Sequence, residues 1–213
     1  MPSPLKPLKQ ATEIRQASLV EAALKLASER NPSGITTGDL AQAVGITQGA
    51  VFRHFASKEA IWLAVLDWTA DMLMARLQAA ADSASHADSE LRSPLPALQA
   101  VFIAHVDFVI AYPGVPRVIF QELQHAQDTL LKARVRGLMQ QYRLLVTGLL
   151  QQAQAQGLLA PNTDLQAAAV LFIGSVQGLV MQSLLNGQTN AMATQAPGVF
   201  AIYLRGLILR ETP

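Results

Sequence analysis

The sequence predicts an all-α protein: an N-terminal three-helix domain with a helix-turn-helix, joined by one long helix to a C-terminal helical bundle. Three observations predict it. No stretch alternates apolar and polar residues with period two, so no sheet is expected. Apolar residues recur instead every three or four positions, as Leu131, Val135, Leu138, Tyr142, Leu145 and Leu149 do along one segment. Residues 35–58, ITTGDLAQAVGITQGAVFRHFASK, hold two short helical patterns split by a tight turn.

Composition narrows the class. The 213 residues are 51% hydrophobic and 15% charged, which excludes a disordered chain and is enough for a real core. The net charge is +1, so any basic surface has to be local. No cysteine is present, which excludes disulfides and thiolate metal sites and suits a reducing compartment. The N-terminal residues hold no apolar run, so no signal peptide is expected and the cytoplasm is the expected location.

The elements follow in order. Residues 1–11 carry Pro2, Pro4, Pro7, Lys6 and Lys9 and read as an extended basic arm. Thr12 caps a first helix to about Arg30, with Leu19, Val20, Ala23, Leu24 and Ala27 as its apolar stripe. Asn31-Pro32-Ser33-Gly34 breaks it. Thr36 caps the next helix, and Asp39, three residues on, can close a capping box. Leu40 and Val44 lie one turn apart, and Gly45 can leave the helix with positive φ at little cost. Thr47 then caps a helix over Gln48–Phe55. Val51 and Phe55 point into the core, whereas Gln48, Gly49, Phe52 and Arg53 share a face with nothing to bury against. Such a helix is built to enter a major groove.

Ser57 caps the long connector, which carries Glu59 in its first turn and apolar residues from Ile61 to Leu77 on more than one side. Residues 82–93 read as a polar loop. Pro94 and Pro96 open a helix with Leu98, Val101, Phe102, His105, Val109 and Tyr112 on one face, and residues 113–116 stop it. A short helix with Ile119, Phe120 and Leu123 follows, and Asp128 caps a long one that Gly157 ends. Asn162-Thr163-Asp164 starts an almost continuous apolar helix, Leu165–Leu185. It is long enough to span a bilayer, and Gly174 and Gly178 form a GxxxG. Gln166, Gln177 and Gln182 interrupt it, and neither an aromatic belt nor a basic loop flanks it, so no membrane partner is expected. The last helix, about Pro197 to Arg210, has Phe200, Tyr203, Leu204, Leu207 and Ile208 on one side. Two such helices expose more apolar surface than one small domain covers, and a two-fold homodimer built on them is the expected solution.

These residues also carry a resemblance. The opening Thr36-Thr37-x-Asp39-Leu40-Ala41, then Gly45-Ile46-Thr47-x-Gly49, Phe52-x-His54-Phe55 and Ser57-Lys58-Glu59, resemble the DNA-binding domain of the tetracycline-repressor-like (TetR) family. Helix 1 is similar as well through residues 19–24, and the likeness covers about the first third of the chain. It implies a DNA-binding domain over residues 1–57 and a ligand-binding and dimerisation domain over 58–213. It also implies Thr37, Gln48, Gly49, Ala50, Phe52, Arg53, His54 and Lys58 as the DNA-facing set, beside the capping Thr47. Phe52 stands where the family commonly has Tyr, and Ala50 where it commonly has Thr, so polar contacts are fewer.

The chemistry of these side chains fits that set in part. An amide such as Gln48 pairs bidentately with adenine, Arg53 reads guanine or binds phosphate, and Ala50 offers a methyl to thymine. Thr37, His54 and Lys58 suit phosphates, which set register without reading sequence. One protomer has few contacts, so a dimer on a palindromic double-stranded operator is expected.

In the second half Phe102, His105, Val109, Phe120, Tyr142 and Phe172 are the candidate lining of a ligand pocket. His105 lies on an apolar face, where it either orients a ligand or is a satisfied core residue. Glu122-Leu123-Gln124-His125 has the spacing of half a di-iron site, but only one copy exists. No catalytic constellation, metal or cofactor is expected. The leading expectation is a homodimeric repressor released from its operator by a small, mostly apolar ligand. A structural or nucleoid-associated DNA-binding protein without a ligand is the alternative, and a helical enzyme or carrier with an incidental helix-turn-helix is a third.

Overall fold

The computed structural model describes residues 7–87 and 93–208. Among them are nine α-helices and no strand, as the periodicity predicts. The helices are α1 (Pro7–Glu29), α2 (Thr37–Ala43), α3 (Gln48–Val51), α4 (Lys58–Ala87), α5 (Pro94–Ala111), α6 (Gly114–Leu123), α7 (Leu130–Ala155), α8 (Leu165–Asn186) and α9 (Ala191–Arg205). A single 3-10 turn, Pro32–Gly34, follows α1.

The chain forms two compact units, one of residues 1–70 with 112–136, the other of 71–111 with 137–213. In the first unit α1 packs on α2 and α6, and α2 on α3. The expected stripe of α1, Leu19, Val20, Ala23, Leu24 and Ala27, is buried, as are Leu40, Val51, Phe55, Ile61, Trp62 and Val65. The approach of α6 to α1 is close. A Cβ on Gly114 would lie 2.2 Å from the backbone oxygen of Leu24, so only glycine fits there.

In the second unit α5, α8 and α9 pack on one another. Phe102, Phe172, Phe200, Tyr203 and Tyr142 form a buried aromatic core. The Tyr203 hydroxyl donates to the Ala168 carbonyl at 3.1 Å, and a short bridge joins Leu159 to Ile208. Two helices, α5 and α8, are long and apolar enough to cross a membrane, yet 50% and 44% of their apolar windows are buried inside the protein.

Several boundaries differ from expectation. α1 begins at Pro7 rather than at Thr12, because proline has no N–H to lose in a first turn. The rest of the basic arm, residues 1–6, lies outside the described residues. The helix expected over Gln48–Phe55 is regular only to Val51 and then tightens, with Arg53 N bonding Ala50 O and His54 N bonding Val51 O. α4 continues to Ala87, through half of the expected polar loop, because Ala and Ser carry little penalty in an exposed helix; residues 88–92 lie outside the described set. Thr129, not Asp128, caps α7, by accepting from Lys132 N at 3.0 Å. Asp128 instead pairs with Arg136. Pro197 lies inside α9, which starts at Ala191 and ends at Arg205; Arg210 is not among the described residues.

Candidate functional site

The first helix of the helix-turn-helix is fixed at its start. Thr36 N donates to Asp39 Oδ2 at 2.7 Å, and Asp39 N donates to Thr36 Oγ1 at 3.1 Å, a complete capping box. Arg30 pairs with the same carboxylate at 3.0 Å. The Thr36 hydrogen bonds, with Arg30 adding to them, hold the Asp39 carboxyl at a pKa of about 2. Gly45 takes φ +69° in the turn that follows, the conformation expected of it.

The second helix is held at both ends by side chains. Thr47 Oγ1 accepts from Ala50 N at 3.3 Å. At the same end Gln48 Nε2 donates to Thr37 Oγ1 at 2.8 Å, which ties α3 to the first residue of α2. At the other end Gln16 Nε2, from α1, donates to the His54 carbonyl at 2.9 Å. Val51 and Phe55 are buried beneath, so the opposite face is displayed.

That face carries most of the expected set. Gln48, Gly49, Phe52 and Arg53 are exposed, while Thr37 and Ala50 are half-buried. Phe52 is 49% exposed, a large apolar ring facing water. The Arg53 guanidinium has no hydrogen-bond or ion-pair partner among the described residues. Lys58 Nζ donates to the Ser33 carbonyl at 3.0 Å, which leaves two of its protons for another acceptor. The His54 ring is half-buried, and its Nδ1 is buried with no partner. Gln16 was not expected to matter here. It lies on another helix, and nothing in its surroundings in the sequence marks it.

The candidate interior residues separate into two groups. Phe102, His105, Tyr142 and Phe172 come together in the second unit. The Phe102 and Phe172 rings are edge-on at 5.3 Å, and those of His105 and Tyr142 at 5.1 Å. His105 Nδ1 lies 3.1 Å from the Tyr142 hydroxyl, which donates to it in the tautomer that carries the ring proton on Nε2. Burial lowers the His105 pKa to about 4 and raises that of the Tyr142 phenol above its usual range. The pair is therefore neutral at physiological pH. Val109 is buried on α5 in the same unit. Phe120 is half-buried on α6 and belongs to the first unit. Phe200 and Tyr203 extend the aromatic group beyond the expected residues.

No group of three metal-ligating side chains occurs among the described residues. The Glu122 carboxylate is buried, with His125 Nε2 at 3.8 Å and the Thr129 hydroxyl at 3.4 Å.

Comparison with known proteins agrees with this geometry. Residues 19–65 match the family described as bacterial regulatory proteins, tetR family. Residues 120–197 match the tetracyclin repressor-like C-terminal domain. The chain is 24% identical over 200 residues to the probable acrEF/envCD operon repressor of Escherichia coli K12, covering 92% of this chain and 87% of that protein. It is 28% identical over 148 residues to the nucleoid occlusion factor SlmA of Glaesserella parasuis, covering 69% and 70%. Among solved structures, FadR from Bacillus subtilis in complex with stearoyl-CoA aligns with a TM-score of 0.76 at 16% identity, over 89% of this chain and 98% of that one.

Proposed function

The chain belongs to the tetR family of bacterial regulatory proteins and is a DNA-binding transcriptional regulator; we propose that it is a cytoplasmic homodimeric repressor, released from a palindromic operator by a small, mostly apolar ligand. The observation that carries the reading is the displayed face of Gln48, Gly49, Phe52 and Arg53, set on a capped helix whose other side is buried. Gln48 and Arg53 read base edges, Ala50 meets a thymine methyl, and Phe52 packs on the sugar-phosphate wall. Thr37, Thr47, Gly49, His54 and Lys58 seat the helix against the backbone. The functional boundary lies at residues 57 and 58. One such reader makes few contacts, and a two-fold dimer doubles them on adjacent major grooves.

The dimer face is on α8 and α9. Val170, Leu171, Met181, Leu185 and Ile202 are exposed there, and nothing lies within 4 Å of a Cβ built on Gly174 or Gly178. A second copy of the same helices buries this surface and approaches closely at the glycines.

The effector enters the second unit at Phe102, His105, Val109, Tyr142 and Phe172. The neutral His105–Tyr142 pair supplies a polar handle in a mostly apolar interior. The stearoyl-CoA held by the Bacillus subtilis FadR supports an acyl chain as the ligand class. Helix α4, which passes from one unit to the other after Ala70, transmits the change. A coupling of ~1–3 kcal/mol, about 5- to 150-fold in operator affinity, makes a useful switch. The test titrates long-chain acyl-CoA and free fatty acid into a calorimeter and, in parallel, into an operator shift assay. A ligand that binds and lowers operator affinity supports the reading; ligands that bind and leave it unchanged overturn it.

One observation favours a ligand-free, nucleoid-associated role. Phe102, Tyr142 and Phe172 are fully buried, the first two each edge-on to Phe172, and the likeness to SlmA points the same way. Binding at many chromosomal sites with no ligand in the panel bound would select that role.

A further inference from the structure

We propose that Thr37 is a positioning residue for base readout: its hydroxyl, 2.8 Å from Gln48 Nε2, fixes the Gln48 amide in the orientation that pairs with adenine. The inference rests on the DNA-reading role given to Gln48 above. Thr37 is free for this task because Thr36 does the capping. Its neighbour's hydroxyl and backbone N–H are both engaged with Asp39, whereas the Thr37 hydroxyl has Gln48 as its partner.

The geometry has two chemical consequences. An amide nitrogen carries two protons, and Thr37 takes one of them. The second N–H and Oε1 remain, one donor and one acceptor side by side, matching adenine N7 and N6. An exposed glutamine otherwise samples many rotamers, and each contact with a base must first select one. The Thr37 hydroxyl also keeps its own proton, since it accepts from Gln48. That proton is available to a phosphate oxygen. Phosphate, Thr37, Gln48 and base then form one hydrogen-bonded chain whose members polarise one another. A backbone contact thereby gains influence over sequence discrimination, which phosphate contacts alone do not have.

The test compares wild type with Thr37→Val, Thr37→Ser and Gln48→Ala on the duplex recovered by selection from a random pool, and on single-base variants of it. Valine keeps the shape of threonine without the hydroxyl, and serine restores the hydroxyl. Melting curves check that each variant is folded. Thr37→Val is expected to reduce discrimination at one base position by roughly 2- to 12-fold, the range of a single lost hydrogen bond. The same position should lose its preference in Gln48→Ala, and Thr37→Val should add nothing further in that background. Thr37→Ser should discriminate as wild type does. If Thr37→Val weakens all duplexes equally and leaves discrimination at every position unchanged, Thr37 is a phosphate contact only and the proposal is overturned. It is overturned too if Gln48→Ala leaves that position unchanged. A wild-type protein with no sequence preference would instead sink the regulator reading itself.

Discussion

Replacing Gly114 with alanine should separate α6 from α1, and the structure sets the size of the effect. The added Cβ would lie 2.2 Å from Leu24 O and 3.1 Å from both Leu24 C and Ser28 N. All three atoms belong to the α1 backbone, so no side chain can rotate out of the way. Ordinary contact begins near 3.4 Å, and relief requires α6 to retreat along its whole packed face. Overpacking of a tight interface costs about 1–3 kcal/mol, and backbone on both sides puts this case at the upper end. For a chain of this size that lowers Tm by roughly 6–12 °C. The assay is thermal and urea unfolding at fixed protomer concentration, since assembly shifts apparent stability. Gly137→Ala is the control. It lies within α7 with nothing within 4 Å of its Cβ, and should gain ~0.5–1 kcal/mol from helix propensity. If Gly114→Ala melts within about 2 °C of wild type, the close approach of α6 to α1 is wrong.

Other expectations follow from the second unit. His105 has a folded pKa lowered to about 4 from 6.5, so the unfolded chain binds more protons between those values. Stability should therefore fall as pH falls through that window, by up to ~1.4 kcal/mol per pH unit, and His105→Gln should remove that slope in urea midpoints measured against pH. Tyr203→Phe deletes the bond to Ala168 O and should cost about 0.5–1.5 kcal/mol by urea unfolding, with the aromatic near-ultraviolet signature retained. Gly178→Glu places a charge on the open face of α8; sedimentation should then report a monomer, and an unchanged dimer would remove α8 from the interface.

Local chemistry made much of the fold legible. The Thr36–Asp39 box, the φ of Gly45 and the Thr47 cap each involve residues within one or two turns, and each stands as the sequence reads. So does the burial of Val51 and Phe55, which follows from their i, i+4 spacing. What escaped was set by distance along the chain. Gln16 meets His54 from 38 residues away, and the Gly114 contact with Leu24 is visible only once α6 is packed on α1. His105 and Tyr142 were each marked as candidates, but their pairing came only from the fold. Pro197 misled because a proline inside a helix reads as a start; here the packing of α9 on α5 and α8 outweighs the lost hydrogen bond.

The most direct test of the account is selection from a randomised duplex pool at physiological salt, with sequencing of the retained DNA, for wild type and Arg53→Ala. The account expects one near-palindromic site for wild type, its half-sites about one helical turn apart, and loss of that enrichment in Arg53→Ala. Retention without sequence preference, or enrichment that survives Arg53→Ala unchanged, would contradict it.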